Sequence, residues 1–241
     1  TRVSFDEVTA VDLSRHPFLV QTHGASYEAA TVIIATGVAP RLLGVPGEAE
    51  LKGRGVSYCA TCDGFFYKDK TVAVIGGGDS AVVEALYLTR FATRVYLVHR
   101  RHELRAQKIT QDRALQNDRI KPVWDSVVTE IKGSDKVTGI GLKNVKTGAK
   151  STLKVDGVFS YIGNLPNTQL FQGQLELDET GYIKTDREMH TSVAGVFAAG
   201  DVQERTLKQV ATAVGRGAMA AMEAEKFIAE LAGHAYPARQ G

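Results

Sequence analysis

Cysteine is scarce in this 241-residue chain: Cys59 and Cys62 are the only two. A tetrahedral zinc site would therefore need histidines to complete it, and the six histidines show no paired ligand spacing, so no metal is expected. Charge of one sign is also lacking. A formal net charge of +2 gives no reason to expect a nucleic-acid or membrane partner. No apolar run approaches the roughly 20 residues needed to span a bilayer. The opening TRVSFDEVTA lacks a signal-peptide core, so export is not expected and a cytoplasmic location is. The first residues read as partway into a strand pattern, which raises the expectation of a missing front end. What remains, 44% hydrophobic and 23% charged residues, is the composition of an ordinary soluble protein of one large or two modest domains.

The clearest unit begins at Thr71. TVAVI is a short β-branched run, predicted as a strand buried on both faces. GGGDSA follows, then AVVEALYLTRFATR, in which Val82, Ala85, Leu86 and Thr89 share a helical face, then the strand RVYLVH. This is a βαβ unit. A charged helix over about 103–118 and a strand near IKPVW are predicted next. From about Asp125, DSVVTEI, KVTGIGLKNV and STLKVDGVFSYIG are strands separated by turn signals, a β-meander leading back to the parallel sheet. The N-terminus has the same texture in DEVTAVDL, PFLVQTHG and SYEAATVIIATG. TVIIATGVAP and DGVFSYIGNLP each run from an apolar strand through Gly toward Pro, which indicates an internal duplication. The second copy has a glycine loop about 50 residues before its meander and the first has none, so roughly that much chain is expected to be lacking at the N-terminus. TSVAGVFAAGD is predicted as a strand followed by Gly-Asp. RTLKQVATAVGRGAMAAMEAEKFIAEL is predicted as an Ala-rich helix, with Gly215 and Gly217 near its start, that packs back on the first copy.

Gly76-Gly77-Gly78-Asp79-Ser80-Ala81 fits the dinucleotide fingerprint G-x-G-x-x-A. Its glycines permit a tight turn and close approach of a pyrophosphate, and its small last residue lets helix and strand pack closely. Free N–H groups at the helix start would meet the phosphates. The bland alternative is a glycine turn with Asp79 and Ser80 capping a helix. NAD binders place an acid at the end of the second strand; here that strand ends in His99-Arg100-Arg101, with Arg105 further on. Arginines there suit a 2′-phosphate, and cations at a helix N-terminus would otherwise oppose its dipole. NADPH is therefore favoured over NADH, against the reading of a solvated basic helix start.

For Cys59-Ala60-Thr61-Cys62, zinc lacks ligands and a structural disulfide would close too short a loop to stabilise much. A redox dithiol is the third reading. Asp63 follows, either as an acid that protonates a leaving thiolate or as a turn residue. A thioredoxin-like fold fits poorly, because no long helix opens at the pair.

CATCDGFFY, GGGDSA, HRR with a following Arg, YIGNLPNT and GVFAAGDV, in this order, closely resemble the low-molecular-weight thioredoxin reductases over nearly the whole chain. The resemblance implies an α/β fold of two dinucleotide-binding, Rossmann-like domains with β-meanders, the FAD domain incomplete at its N-terminus. Residues 1–40 and 169–241 would belong to that FAD domain, and 41–168 to an NADPH domain carrying the Cys pair. It implies FAD and NADPH as cofactors, thioredoxin as partner and a homodimer. Cys62 would face the flavin, Cys59 would attack thioredoxin and Asp63 would be the acid. Thr36 and Gly37 of ATG, Gly200 and Asp201 of AAGD, and Gln209 and Val210 match flavin-contacting stretches, while Lys208 stands where the family usually has Arg. Ile162 and Gly163 of YIGNLP join the nucleotide residues. The family's N-terminal flavin fingerprint is not found in this sequence. Two other readings are an NADP(H)-binding fragment without flavin and a flavoprotein reducing another disulfide acceptor, such as a peroxiredoxin.

Overall fold

The computed structural model describes residues 2–204 and 207–234. Numbered in chain order, the first strands are β1 (Val8–Asp12), β2 (Phe18–Thr22), β3 (Ser26–Ala29), β4 (Val32–Ile34), β5 (Val38–Pro40) and β6 (Val56–Ser57). The helix α1 (Ala60–Asp63) precedes β7 (Thr71–Ile75), α2 (Asp79–Leu88), β8 (Arg94–Val98), α3 (Lys108–Leu115) and β9 (Ile120–Val123). Then come β10 (Ser126–Lys132), β11 (Gly139–Asn144), β12 (Lys150–Leu153), β13 (Gly157–Ser160), β14 (Asn164–Pro166), β15 (Val196–Ala198) and α4 (Val210–Leu231). The chain forms two compact units: an inserted unit, Pro40–Asn164, and a flanking unit made of Thr1–Ala39 with Leu165–Gly241.

The inserted unit is built on a five-stranded parallel sheet of order β6-β13-β7-β8-β9. TVAVI forms its middle strand. Val72 and Val74 pack with Ala81, Val82, Ala85 and Leu88 of α2 on one face. Ala73 and Ile75 pack on the other face with Val128, Ile131, Ile140 and Leu142 of the antiparallel meander β10-β11-β12. Because both faces are covered, the strand carries no polar alternation.

The flanking unit has the antiparallel meander β1-β2-β3 and a parallel pair, β4 with β15. Ile34, Val196 and Ala198 turn toward Leu13 and Phe18, while Phe197 and Ala199 meet Ala220 and Ala224 of α4. The Ala-rich helix thus packs on the unit that contains the first meander. The duplication is visible in the architecture, since each unit runs a three-stranded meander into a parallel strand.

Several boundaries differ from the sequence prediction. SYEAATVIIATG splits into β3 and β4, and STLKVDGVFSYIG into β12 and β13. In each case the first half completes a meander and the second joins a different sheet, so the chain has to turn between them. α2 ends at Leu88, where the Thr89 hydroxyl donates to Leu86 O at 2.7 Å and Arg119 Nη1 donates to Thr89 O at 2.7 Å. α3 begins only at Lys108, because the residues before it are held against the glycine loop. α4 begins at Val210; Arg205 and Thr206, included in the predicted helix, lie outside the described residues.

Gly157 opens β13 beneath the buried ring of Tyr67, which packs edge-on to Phe159 at 5.0 Å. A Cβ at Gly157 would stand 2.1 Å from Tyr67 Cε1. Gly157→Ala is expected to destabilise the inserted unit by about 1–3 kcal/mol, the usual range for overpacking a tight core. A urea-unfolding midpoint measures it, and an unchanged midpoint would mean that the ring yields freely.

Candidate active site

Ser57, the last residue of β6, leads through Tyr58 into the cysteine turn. Cys59 and Cys62 are joined by a disulfide with their Cα atoms 5.3 Å apart. α1 is a single turn followed by a 3₁₀ turn over Gly64–Tyr67, so the pair opens no long helix. Cys62 is exposed and Cys59 half-buried. Cys59 Sγ accepts a hydrogen bond from Cys62 N at 3.2 Å and lies 3.3 Å from Thr61 Oγ1.

Hydroxyl groups satisfy the backbone of this turn. Ser57 Oγ accepts from Cys59 N at 3.1 Å and donates to Asp63 Oδ2 at 2.7 Å. Tyr161 Oη accepts from Ala60 N at 2.6 Å. Burial, and then the nearby Glu84 charge, pushes the Tyr161 phenol well above its ordinary pKa, so it stays neutral near pH 7. Glu84 is itself raised by burial, and its Oε2 has no hydrogen-bond partner among the described residues. Buried Glu48 accepts from Leu43 N at 2.9 Å, Gly44 N at 2.8 Å and the Tyr58 hydroxyl at 3.0 Å, which fixes the residue before Cys59.

Tyr161 also reaches the nucleotide loop. Its backbone N donates to Ile75 O at 2.8 Å, and its carbonyl oxygen would lie 2.5 Å from a Cβ at Gly76. Gly76, at φ +146°, therefore admits no side chain. Gly77 lies against the His99 ring, which a Cβ there would meet at 2.4 Å. Gly78 is the N-cap of α2, with open space where its side chain would be, and no side chain caps the helix. Ala81 is fully buried. Asp79 does not cap α2; its Oδ1 accepts from Gln107 N at 2.7 Å, and Ser80 is exposed. Arg105 N donates to Gly77 O at 2.7 Å, so the segment after β8 braces the loop. The free N–H groups of α2 and the space over Gly78 fit a pyrophosphate.

Arg100, Arg101 and Arg105 are all exposed, and among the described residues none forms an ion pair with a carboxylate. They sit in the loop between β8 and α3, not at a helix N-terminus as the sequence suggested, so the dipole argument for an anion falls away. Three guanidinium groups without a carboxylate partner nonetheless stand beside the loop, and these groups fit a 2′-phosphate. Ile162 and Gly163 follow β13, whose Ser160 is in register with Ile75. Gly163 O accepts from Arg41 N at 3.0 Å.

In the flanking unit, Thr36, Gly37, Gly200 and Asp201 border a cleft of about 320 Å³, together with Ala213 and Gly217 of α4. Gly37 has φ +65° and Gly200 φ +78°. The Thr36 hydroxyl donates to Asn167 O at 2.7 Å, and Thr36 O and Gly37 O accept from Asn167 Nδ2 at 2.8 Å and Asn167 N at 3.1 Å. Lys208 Nζ sits 4.6 Å from the Tyr182 ring centroid. Gln209 is the N-cap of α4 without a side-chain cap bond, and Val210 is 81% exposed. Backbone turns and a helix start fit one edge of a flavin. Ser57, Glu48, Tyr161 and Glu84 were not singled out from the sequence, because ordinary residue types mark them and only the fold brings them to the disulfide.

His99 is 5% exposed and its Nε2 has no partner among the described residues. Burial, followed by the charges of Arg105, Arg101 and Arg100, holds its pKa below the ordinary histidine value. The unfolded chain thus binds a proton before the folded one does. Stability is expected to be full above about pH 6.5 and to decline as pH falls below it. Urea midpoints across pH 8 to 5.5 test this, with the decline shallower in His99→Gln. Equal slopes would contradict the assignment.

The pyridine nucleotide-disulphide oxidoreductase family matches residues 1–217. The chain is 52% identical over 228 residues to the thioredoxin reductase of Streptomyces coelicolor, covering 94% of this chain and 71% of that one. It is 52% identical to that of Rickettsia conorii over 95% of this chain and 75% of the relative. Among solved structures, the thioredoxin reductase of Streptococcus pyogenes superposes with a TM-score of 0.85 at 49% identity, covering 93% and 74% of the two chains. That of Giardia duodenalis gives 0.84 at 40% identity, covering 94% and 75%. With the disulfide, the glycine loop and these likenesses together, the chain belongs to the pyridine nucleotide-disulphide oxidoreductase family.

Proposed function

We propose that the chain is an NADPH-dependent thioredoxin–disulfide reductase. The observation that carries this reading is the Cys59–Cys62 disulfide on an accessible turn, tied through Tyr161 to a dinucleotide loop flanked by unpaired arginines. When bound, NADPH supplies a hydride and FAD carries its two electrons to the disulfide. In this reading residues 41–168 serve NADPH, and residues 1–40 with 169–241 serve FAD.

The residues divide the work. Gly76 to Ala81 present the N–H groups of α2 to the pyrophosphate, with Ile162 and Gly163 alongside. Arg100, Arg101 and Arg105 hold the 2′-phosphate, and His99 supports Gly77 from below. Thr36, Gly37, Gly200, Asp201, Lys208, Gln209 and Val210 hold the flavin edge. Cys59 is the sulfur that attacks the acceptor's disulfide, a role supported by the hydrogen bond it takes from Cys62 N, since such a donor stabilises a thiolate. Cys62 is the flavin-side sulfur, and Asp63 gives a proton to the thiolate that leaves. Thioredoxin is the acceptor named in the relatives. No helix among the described residues is long and apolar enough to cross a membrane. A cytoplasmic homodimer with no nucleic-acid or membrane partner completes the proposal.

Adding FAD to the purified chain and removing the unbound excess is expected to leave protein-bound flavin bands in the visible spectrum. A colourless protein that still binds NADPH would instead favour a nucleotide-binding role alone. Arg100→Ala with Arg101→Ala is expected to weaken NADPH by about 10–100-fold, the loss of hydrogen bonds to a charged group, while NADH changes little. Equal losses for both, in a fluorescence titration, would sink the 2′-phosphate assignment. Cys62→Ser is expected to abolish reduction of thioredoxin with nucleotide affinity intact; continued turnover would overturn the dithiol mechanism.

A further inference from the structure

We propose that Ser57 is a positioning residue for proton transfer at the disulfide, its hydroxyl locking the Asp63 carboxylate to the backbone of Cys59. This rests on the reading of Asp63 as the proton donor. Ser57 ends β6, is 5% exposed, and is in parallel register with Phe159 of the sheet. Its oxygen accepts from Cys59 N at 3.1 Å. Its single proton has two acceptors within reach, Asp63 Oδ2 at 2.7 Å and Cys59 O at 3.4 Å. The shorter contact, to a carboxylate, wins, because a charge-assisted bond at that length is roughly twice as strong as a neutral one. Asp63 N in turn donates to Cys59 O at 3.1 Å. Backbone and side chain of Asp63 are therefore both anchored to the cysteine turn, and the side-chain anchor stands on a strand end, where geometry is held more precisely than on a loop.

The chemistry that needs this precision is exchange from the reduced pair. The Cys59 thiolate attacks one sulfur of the acceptor's disulfide, forming a mixed disulfide and releasing the other sulfur as a thiolate. Asp63, carrying its proton on Oδ1 while Oδ2 still accepts from Ser57 Oγ, gives that proton to the thiolate and is left as a carboxylate. Cys62 then gives its proton to the Asp63 carboxylate and attacks Cys59 Sγ, the Cys59–Cys62 bond re-forms, and the second acceptor sulfur leaves and is protonated from solvent. Two electrons pass from the cysteine pair to the acceptor, and both acceptor sulfurs end as thiols. Without the Ser57 hydroxyl the carboxyl group rotates away from the leaving sulfur. The loss should therefore scale with how much that sulfur needs a proton.

The test uses the chemically reduced chain, without flavin, and two small disulfides. Bis(2-hydroxyethyl) disulfide releases a basic alkyl thiolate, and an aromatic disulfide such as bis(3-carboxy-4-nitrophenyl) disulfide releases one that is stable unprotonated. Ser57→Ala is expected to slow the alkyl disulfide about tenfold, within the cost of misplacing a reacting group. The aromatic disulfide should change by less than about twofold, since its leaving group needs no acid. Ser57→Thr keeps the hydroxyl and should restore the alkyl-to-aryl rate ratio. In an Asp63→Asn background, Ser57→Ala should add no further loss with the alkyl disulfide. Equal slowing with both disulfides, or additive losses in the double variant, would overturn the proposal. A full alkyl-specific loss in Asp63→Asn with none in Ser57→Ala would overturn the role of Ser57 alone. No loss in Asp63→Asn would remove the proton donor itself, and the role of Ser57 with it.

Discussion

The parallel register of β6, β13, β7 and β8 is the constraint on which the inserted unit depends. Val158 is in register with both Val56 and Ala73, and Ile75 with both Ser160 and Val98. Parallel strands deliver their carboxyl ends to one edge of a sheet, where open α/β folds bind ligands. Four chain segments leave that edge together: Ser57 into the cysteine turn, Gly76 into the nucleotide loop, Tyr161 from β13 and His99 from β8. Each then touches another. Tyr161 meets Ala60 and Gly76, and His99 meets Gly77. The dithiol and the nucleotide loop come together because their strands, β6 and β7, flank β13 on its two sides.

The same constraint explains where polar groups are buried. Glu48, Ser57 and Tyr161 are enclosed or partly enclosed polar side chains, and each satisfies backbone N–H groups of loops that lead into or out of the sheet. An unmet buried donor costs about 1–3 kcal/mol, so these hydroxyl and carboxyl groups define one conformation of the turn. Glu84 and His99 are different. Glu84 Oε2 and His99 Nε2 are buried without partners among the described residues, and burial disfavours the charged form of each.

Much of this arrangement was legible in the sequence where the chemistry repeats a known spacing. TVAVI, GGGDSA and RVYLVH gave strand, loop and strand because a doubly covered parallel strand has no polar alternation and a tight phosphate turn admits only small residues. The duplication was legible for a similar reason, since both meanders end in an apolar strand and a glycine. Helix boundaries were not. The predicted helix over 103–118 loses its first residues to hydrogen bonds with Gly77 and Asp79, a tertiary demand that local pattern does not encode. The supporting residues of the site were hidden as well. Ser57 and Tyr161 are far apart in sequence, of common types, and reach the same turn only through the pairing of β6 with β13.

The proposed chemistry requires Cys59–Cys62 to be a reversible electron carrier and not a structural staple. The reduction potential of this pair, from equilibration of the purified chain with oxidised and reduced thioredoxin, tests that most directly. A value close to thioredoxin's own, about −270 mV, is expected, so that electrons pass to thioredoxin without a large cost in energy. A pair that stays oxidised, with a potential well below about −300 mV, would place it among structural disulfides and contradict the proposed function.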